Sequence, residues 1–180
     1  MATAPIQPIS PSNRPPIVGS SSGPTPPYPI FLEGEVKSGF GRGSKELGCP
    51  TANLPDESFE KYQGTMDNGV FCGFAKVFGT GSGEDTVHEM VMSVGWNPYY
   101  KNEKKTAEVH IMHDFGHDFY GKIMKVIVLA YIRPQFDYVS KEALIEDIEV
   151  DKQVATRTLE QDAWKEFAKD KFFESASATA

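Results

Sequence analysis

A hydroxyl and a carboxamide two residues apart, Thr51 and Asn53 in Pro50-Thr51-Ala52-Asn53, put two neutral oxygen donors on one side of an extended chain. Neutral oxygens hold a hard cation weakly unless nucleotide phosphates complete its shell, so the pair suits a metal-nucleotide site. From spacing alone, an ordinary turn in which Thr and Asn satisfy backbone groups ranks ahead. Just upstream, Gly39-Phe40-Gly41-Arg42-Gly43-Ser44-Lys45 offers exposed amides and two cations that could cover a triphosphate. It is not a Walker A loop, in which Lys precedes Ser or Thr at a helix start, and its last glycine spacing does not fit the dinucleotide fingerprint. Glu108 is the candidate general base, a carboxylate in mid-strand where phosphoryl transfer to an alcohol would need a proton acceptor. A solvated Glu on an open sheet face is the commoner alternative. His110 and His113 read as structural, and with no third ligand a zinc site is discounted.

The elements that must position these groups follow from periodicity. Ile30–Val36 reads as a strand running into the Gly-rich segment. Gly69–Phe78 reads as a second, with small residues that let another backbone approach, and Gly79–Asp85 as a polar hairpin loop. Val87–Gly95 alternates and stops at Trp96-Asn97-Pro98. Thr106–Met112 puts Thr106, Glu108, His110 and Met112 on one face and Ala107, Val109 and Ile111 on the other. Lys122–Ile132 is apolar enough for a strand covered on both sides, ended by Arg133-Pro134. The period then changes: Ser140 is an N-cap candidate, and Leu144, Ile148, Ala155 and Leu159 share a helical face. Trp164, Phe167, Phe172 and Phe173 add an apolar patch. About six strands and then a helix predict an all-β dominated fold, an antiparallel barrel with a helix packed outside.

Composition limits the functions available. The 180 residues suit one domain, and a formal charge of -7 argues against a protein that tracks nucleic acid phosphates. Prolines crowd the N-terminus, at 5, 8, 11, 15, 16, 24, 26, 27 and 29, and Arg14 is the only charged residue before Glu33. Residues 1–27 therefore read as a disordered or extended tail, 28–173 as the barrel with its helix, and 174–180 as a flexible tail. No secretory or transit pattern and no apolar run near ~20 residues is present, and Cys49 and Cys72 form no zinc spacing. An intracellular, cytoplasmic protein is the expectation.

Gly39-Phe-Gly-Arg-Gly-Ser-Lys-Glu-Leu-Gly-Cys-Pro-Thr-Ala-Asn53, Ser93-Val-Gly-Trp-Asn-Pro-Tyr-Tyr-Lys-Asn102, Ala107-Glu-Val-His-Ile111, Asp118-Phe-Tyr-Gly121 and Tyr131-Ile-Arg-Pro134 occur in this order. Together they resemble the eukaryotic-type, monofunctional riboflavin kinases over residues 30 to about 160. The resemblance implies a six-stranded antiparallel Greek-key barrel with a packed C-terminal helix and ATP-dependent phosphorylation of riboflavin to FMN. It implies Thr51 and Asn53 as ligands of magnesium and nucleotide, with zinc or manganese as open alternatives, and Glu108 as the catalytic carboxylate. It places Gly39 and Lys45 in a flap over ATP, Ile111, His113 and Tyr120 around the nucleotide, and Arg133, Phe136 and Tyr138 at riboflavin or FMN. Phe136 stands where a Lys can occur in relatives, so a polar contact to FMN would be lost or replaced by stacking.

ATP and riboflavin would be the partners, FMN and ADP the products, with a monomeric protein, no nucleic acid and no transmembrane segment. Making FAD from FMN would need another protein. Two other functions stay open: a flavin-carrying barrel without catalysis, and a Pro-rich tail serving as ligand for aromatic-grooved modules.

Overall fold

The computed structural model describes residues 13–38, 51–81, 83–96 and 104–176. Gly39, Lys45, Arg42 and Cys49 of the Gly-rich motif, and the Asn97–Asn102 part of the second motif, lie outside them.

Six strands form one antiparallel sheet: β1 (Ile30–Glu35), β2 (Ala52–Asn53), β3 (Gly69–Val77), β4 (His88–Trp96), β5 (Lys105–Ile111) and β6 (Ile123–Arg133). Their order is β1-β6-β3-β4-β5-β2, so the sequence-distant β1 and β6 are neighbours. The sheet curls, and its two edge strands meet through one bridge, in which Lys37 and Asn53 exchange backbone hydrogen bonds of 2.9 and 3.3 Å. The barrel expectation holds, with this seam as its narrowest join. The two-residue β2 was not marked by any alternation, because a strand this short has no period to show.

Alternation sorts the strands into two apolar layers. Leu32, Phe71, Met90, Met92, Val94, Val109, Met124 and Val126 fill the inside of the curl. Cys72, Phe74, Val91, Ile127 and Leu129 face outward, where Val154, Ala155 and Leu159 of the helix α2 (Lys141–Leu159) and the side chains of Trp164 and Phe173 cover them. Both faces of β6 are thus buried, as its composition predicts. Gly73 is where β3 and β6 shift register, and a Cβ there would lie 1.9 Å from the Ile127 carbonyl oxygen, so the close approach requires glycine. The short helix α1 (Asp56–Phe59) follows β2, and α3 (Asp162–Lys165) follows α2.

The N-cap of α2 is as expected: Ser140 Oγ accepts the Ala143 N–H at 3.1 Å. Its buried stripe is only partly so: Ala155 and Leu159 are fully buried, as expected, but the first half of the helix differs. Leu144 and Ile148 are only half-buried, whereas Asp147 and Asp151 are fully buried. A carboxylate occupies such a position only when a cation compensates it. Here one of the compensating cations is Arg14, which pairs with both.

That pairing also corrects the reading of the first 27 residues for the part described. Residues 13–27 run along α2 and α3 rather than forming a disordered tail. Val18 N–H donates to Thr158 Oγ1 at 3.1 Å, and the indole N–H of the buried Trp164 donates to the Ser20 carbonyl at 2.9 Å. Composition missed this because polar and ionic partners, together with the packing of Val18 on the outer apolar layer, offset the ordering entropy, and fixed proline dihedrals lower that entropy. At the other end Lys125 Nζ donates to the Ser175 carbonyl at 2.6 Å, so contacts with the barrel continue into the segment assigned to the C-terminal tail.

Candidate active site

Strand pairing assembles the chemistry in one lateral row. Asn53 of β2 lies opposite Glu108 of β5, Glu108 opposite Ser93 of β4, Ser93 opposite Val70 of β3, and Val70 opposite Arg133 of β6. Residues directly opposite in a sheet project to the same face. That face is the outer one, since Val70 belongs to the layer under α2. Residues 55 positions apart in sequence, Asn53 and Glu108, therefore stand side by side, and Glu108 is half-buried.

Beyond the β2 end of the row lies a cavity of about 310 Å³, which Thr51 lines two residues before Asn53. The row's own side chains do not line it, and Ala52, Val109 and Ile111 reach it from the inner layer. Thr51 and Ala52 form one wall, Val109 and Ile111 another, and the segment His113–Tyr120 a third. Four residues implied by the resemblance, Thr51, Ile111, His113 and Tyr120, thus line one space. Tyr120 is 50% exposed at its rim. His113 stacks on His88, with ring centroids 4.1 Å apart and planes at 14°, and both rings meet the edge-on Phe115. Burial, and then the neighbouring His113, hold the His88 pKa below its ordinary value, which keeps it neutral in the stack. His88 and Phe115 were not anticipated, because nothing in their spacing links β4 to this loop.

Two buried polar atoms at this end have no hydrogen-bond partner among the described residues: Asn53 Oδ1 and His113 Nε2. Asn53 is 5% exposed, so its carbonyl oxygen is held away from solvent and unsatisfied. A hard cation accepts such an oxygen as ligand, and Thr51 supplies a second neutral oxygen two residues earlier. The donor set fits a divalent metal that arrives with phosphate.

The other end of the row is built differently. Arg133 is 6% exposed, and its guanidinium grips Asp151 through Nε at 2.9 Å and Nη2 at 2.7 Å. Its Nη1 donates to the Pro134 carbonyl at 3.0 Å. The rings of Phe136 and Tyr138 lie against the same guanidinium, 5.4 and 5.9 Å from it, and Tyr138 Oη donates to Asp147 at 2.5 Å. Burial opposes the Arg133 charge, but the bonds to Asp151 outweigh it and its pKa is raised. Burial and then the Asp147 bond raise the Tyr138 pKa as well, so its phenol stays a donor. Gln135 Nε2 reaches back to Ser93 Oγ at 3.2 Å. The loop 134–139 therefore lies over the same face as Glu108, one position along the row. Arg133, Phe136 and Tyr138 come together, as the resemblance implies, but the guanidinium faces Asp151 rather than open space. Asp147 and Asp151, spaced i and i+4, were the signal sequence reasoning passed over.

Comparison with known proteins gives this arrangement a family. A family model described as Flavokinase, riboflavin kinase, matches residues 26–159. A riboflavin kinase of Homo sapiens is 46% identical over 146 residues, covering 81% of this chain and 91% of that protein. One of Chaetomium globosum is 42% identical over 192 residues, covering 86% and 82%. The crystal structure of riboflavin kinase from Trypanosoma brucei aligns with a TM-score of 0.67 at 31% identity, over 87% of this chain and 93% of that one. The chain belongs to the riboflavin kinase family.

Proposed function

We propose that the ATP-dependent phosphorylation of riboflavin to FMN characteristic of the family runs along the row Asn53–Glu108–Ser93, with nucleotide at the cavity end and riboflavin under the loop 134–139. The observation that carries this reading is the register: the orphaned Asn53 oxygen, the Glu108 carboxylate and the loop anchored at Ser93 are consecutive neighbours on one face.

In this reading the adenine and ribose lie against Ile111, His113 and Tyr120, and Gly39 and Lys45 belong to the flap over the phosphates. Thr51 and Asn53 would hold the divalent cation, which when bound would neutralise charge on the phosphates. Glu108 accepts the proton of the terminal ribityl hydroxyl as that oxygen bonds to the γ-phosphorus and the bridge to the β-phosphate breaks, releasing ADP. Phe136 and Tyr138 offer aromatic surface to the isoalloxazine. Arg133 acts by holding those rings, since its own donors are spent on Asp151 and Pro134. The carboxylate contributes proton transfer and orientation, and the remaining barrier reduction comes from alignment and charge neutralisation.

Glu108→Gln keeps the shape and removes the base. Turnover, followed by chromatographic separation of riboflavin, FMN and FAD, is expected to fall about 10²- to 10⁴-fold with both KM values little changed. Wild-type turnover in this variant would refute the role of Glu108.

A further inference from the structure

Arg14 stands outside the segment matched by the family model, which starts at residue 26, yet its side chain is 3% exposed. It donates to both buried carboxylates of α2: to Asp147 through Nη2, and to Asp151 Oδ1 through Nη1 at 2.6 Å. Arg133 meets the same two, Asp151 at 2.7 Å and Asp147 at 3.5 Å. The four side chains form a closed ring in which cation and anion alternate, each guanidinium touching each carboxylate. Two positive charges balance two negative ones only when Arg14 is present.

The ring bears directly on the loop over the row. Tyr138 is fixed by its bond to Asp147, and Phe136 lies on the Arg133 guanidinium, so the positions of both rings depend on where the two aspartates sit. Without Arg14, one guanidinium would face two buried carboxylates, and the excess charge could be relieved only by protonation, water entry or displacement of the first turns of α2. Each of these moves Tyr138.

The contacts that seat the segment do not depend on the ring. Val18 and Ser20 bond to Thr158 and Trp164. Gly19, at φ 76°, packs so closely that a Cβ would fall 2.6 Å from the Trp164 ring. The segment is thus held by its own anchors and delivers one charge at one place.

We propose that residues 14–20 form a strap whose function is to preorganise the riboflavin side of the site, with Arg14 as a positioning residue acting through Asp147 on Tyr138 and through Asp151 on Arg133. This rests on the reading of the loop 134–139 as the riboflavin contact. The strap's contacts to Asp147, Asp151, Thr158 and Trp164 involve no described residue that lines the cavity, so its effect is confined to one substrate.

The test uses the full chain with Arg14→Met, Arg14→Lys, the double variant R14M/D147N, and Phe136→Ala as a probe of the loop. Steady-state kinetics with each substrate varied are combined with riboflavin fluorescence titration and thermal unfolding. Arg14→Met is expected to raise the riboflavin KM and Kd about tenfold and to leave the ATP KM within about twofold. Arg14→Lys, which keeps the charge but cannot fork to both carboxylates, should fall between Arg14→Met and the wild type, and carries the test if Arg14→Met does not fold. R14M/D147N restores charge balance and leaves Tyr138 an acceptor, and should recover most of the riboflavin affinity. An unchanged riboflavin KM in folded Arg14→Met or Arg14→Lys, or equal rises in both KM values, would overturn the proposal. If Phe136→Ala also leaves riboflavin binding intact, the reading of the loop has failed; if Phe136→Ala weakens it and the Arg14 variants do not, the strap alone is refuted.

Discussion

The two ends of the row handle buried polarity in opposite ways. Around Arg133 every charge is answered by another side chain: Arg14, Asp147, Arg133, Asp151 and Tyr138 satisfy one another without any ligand. At the β2 end, Asn53 Oδ1 and His113 Nε2 are buried and unmatched among the described residues, as is Asn68 Oδ1 just before β3. Buried polar groups in native proteins are almost always satisfied, so unmatched ones mark where something else completes the structure. One end is finished by folding, and in the proposed reading the other is finished by its substrate. This suits an enzyme whose flavin is a rigid aromatic needing a preset slot, while a flexible triphosphate brings its own charges and cation.

The contrast can be broken most forcefully at the finished end. Asp151→Ala strands two buried guanidinium groups against one remaining carboxylate, and should cost about 3–5 kcal/mol of stability in urea unfolding. A loss below about 1 kcal/mol would mean that the ring is open to water. At the unfinished end the sign should reverse. Asn53→Leu removes an oxygen that no described residue satisfies, so stability should hold or rise by about 1 kcal/mol while turnover with magnesium falls at least about tenfold. Lower stability combined with normal turnover would refute both the orphaned state of Asn53 and its place at the metal.

The smallest effect concerns the loop that walls the cavity. His117 Nε2 lies 2.8 Å from Glu84, and the Asp118 carbonyl, then Glu84, raise the His117 pKa above 6.5. A raised histidine pKa means that the tether is complete below about 6.5 and is lost as pH rises through the raised value. The ATP KM should accordingly drift upward by less than about twofold across that window, and Glu84→Gln should flatten the drift. An NMR titration of His117 showing no upward shift would remove the tether from the account.

Much of the strand and helix pattern was legible, because alternation and capping are local. The edges of five strands and the Ser140 cap could be read to within a residue or so from Ile30, Gly69, His88, Lys105, Ile123 and Ala143. The residues Thr51, Ile111, His113 and Tyr120 were named from motifs, but that they share a cavity is a fact of register. What could not be read was anything compensated at long range. Asp147 and Asp151 look like solvent residues until Arg14, more than 130 positions earlier, is placed beside them. Arg14 in turn looks incidental among prolines. Its isolation was the clue: a single charge in a long uncharged stretch invites the question of what it answers.

Docking of the strap also has an order in time. Residues 14–20 leave the ribosome long before their partners Asp147, Asp151, Thr158 and Trp164, which follow by up to 144 residues. Strand pairing can be under way before these partners exist, so the earliest part of the described chain is among the last to find its place. Until synthesis reaches Trp164 the nascent enzyme has its sheet but not its brace, and a chain cut short before α2 would have nothing to fasten its own beginning to.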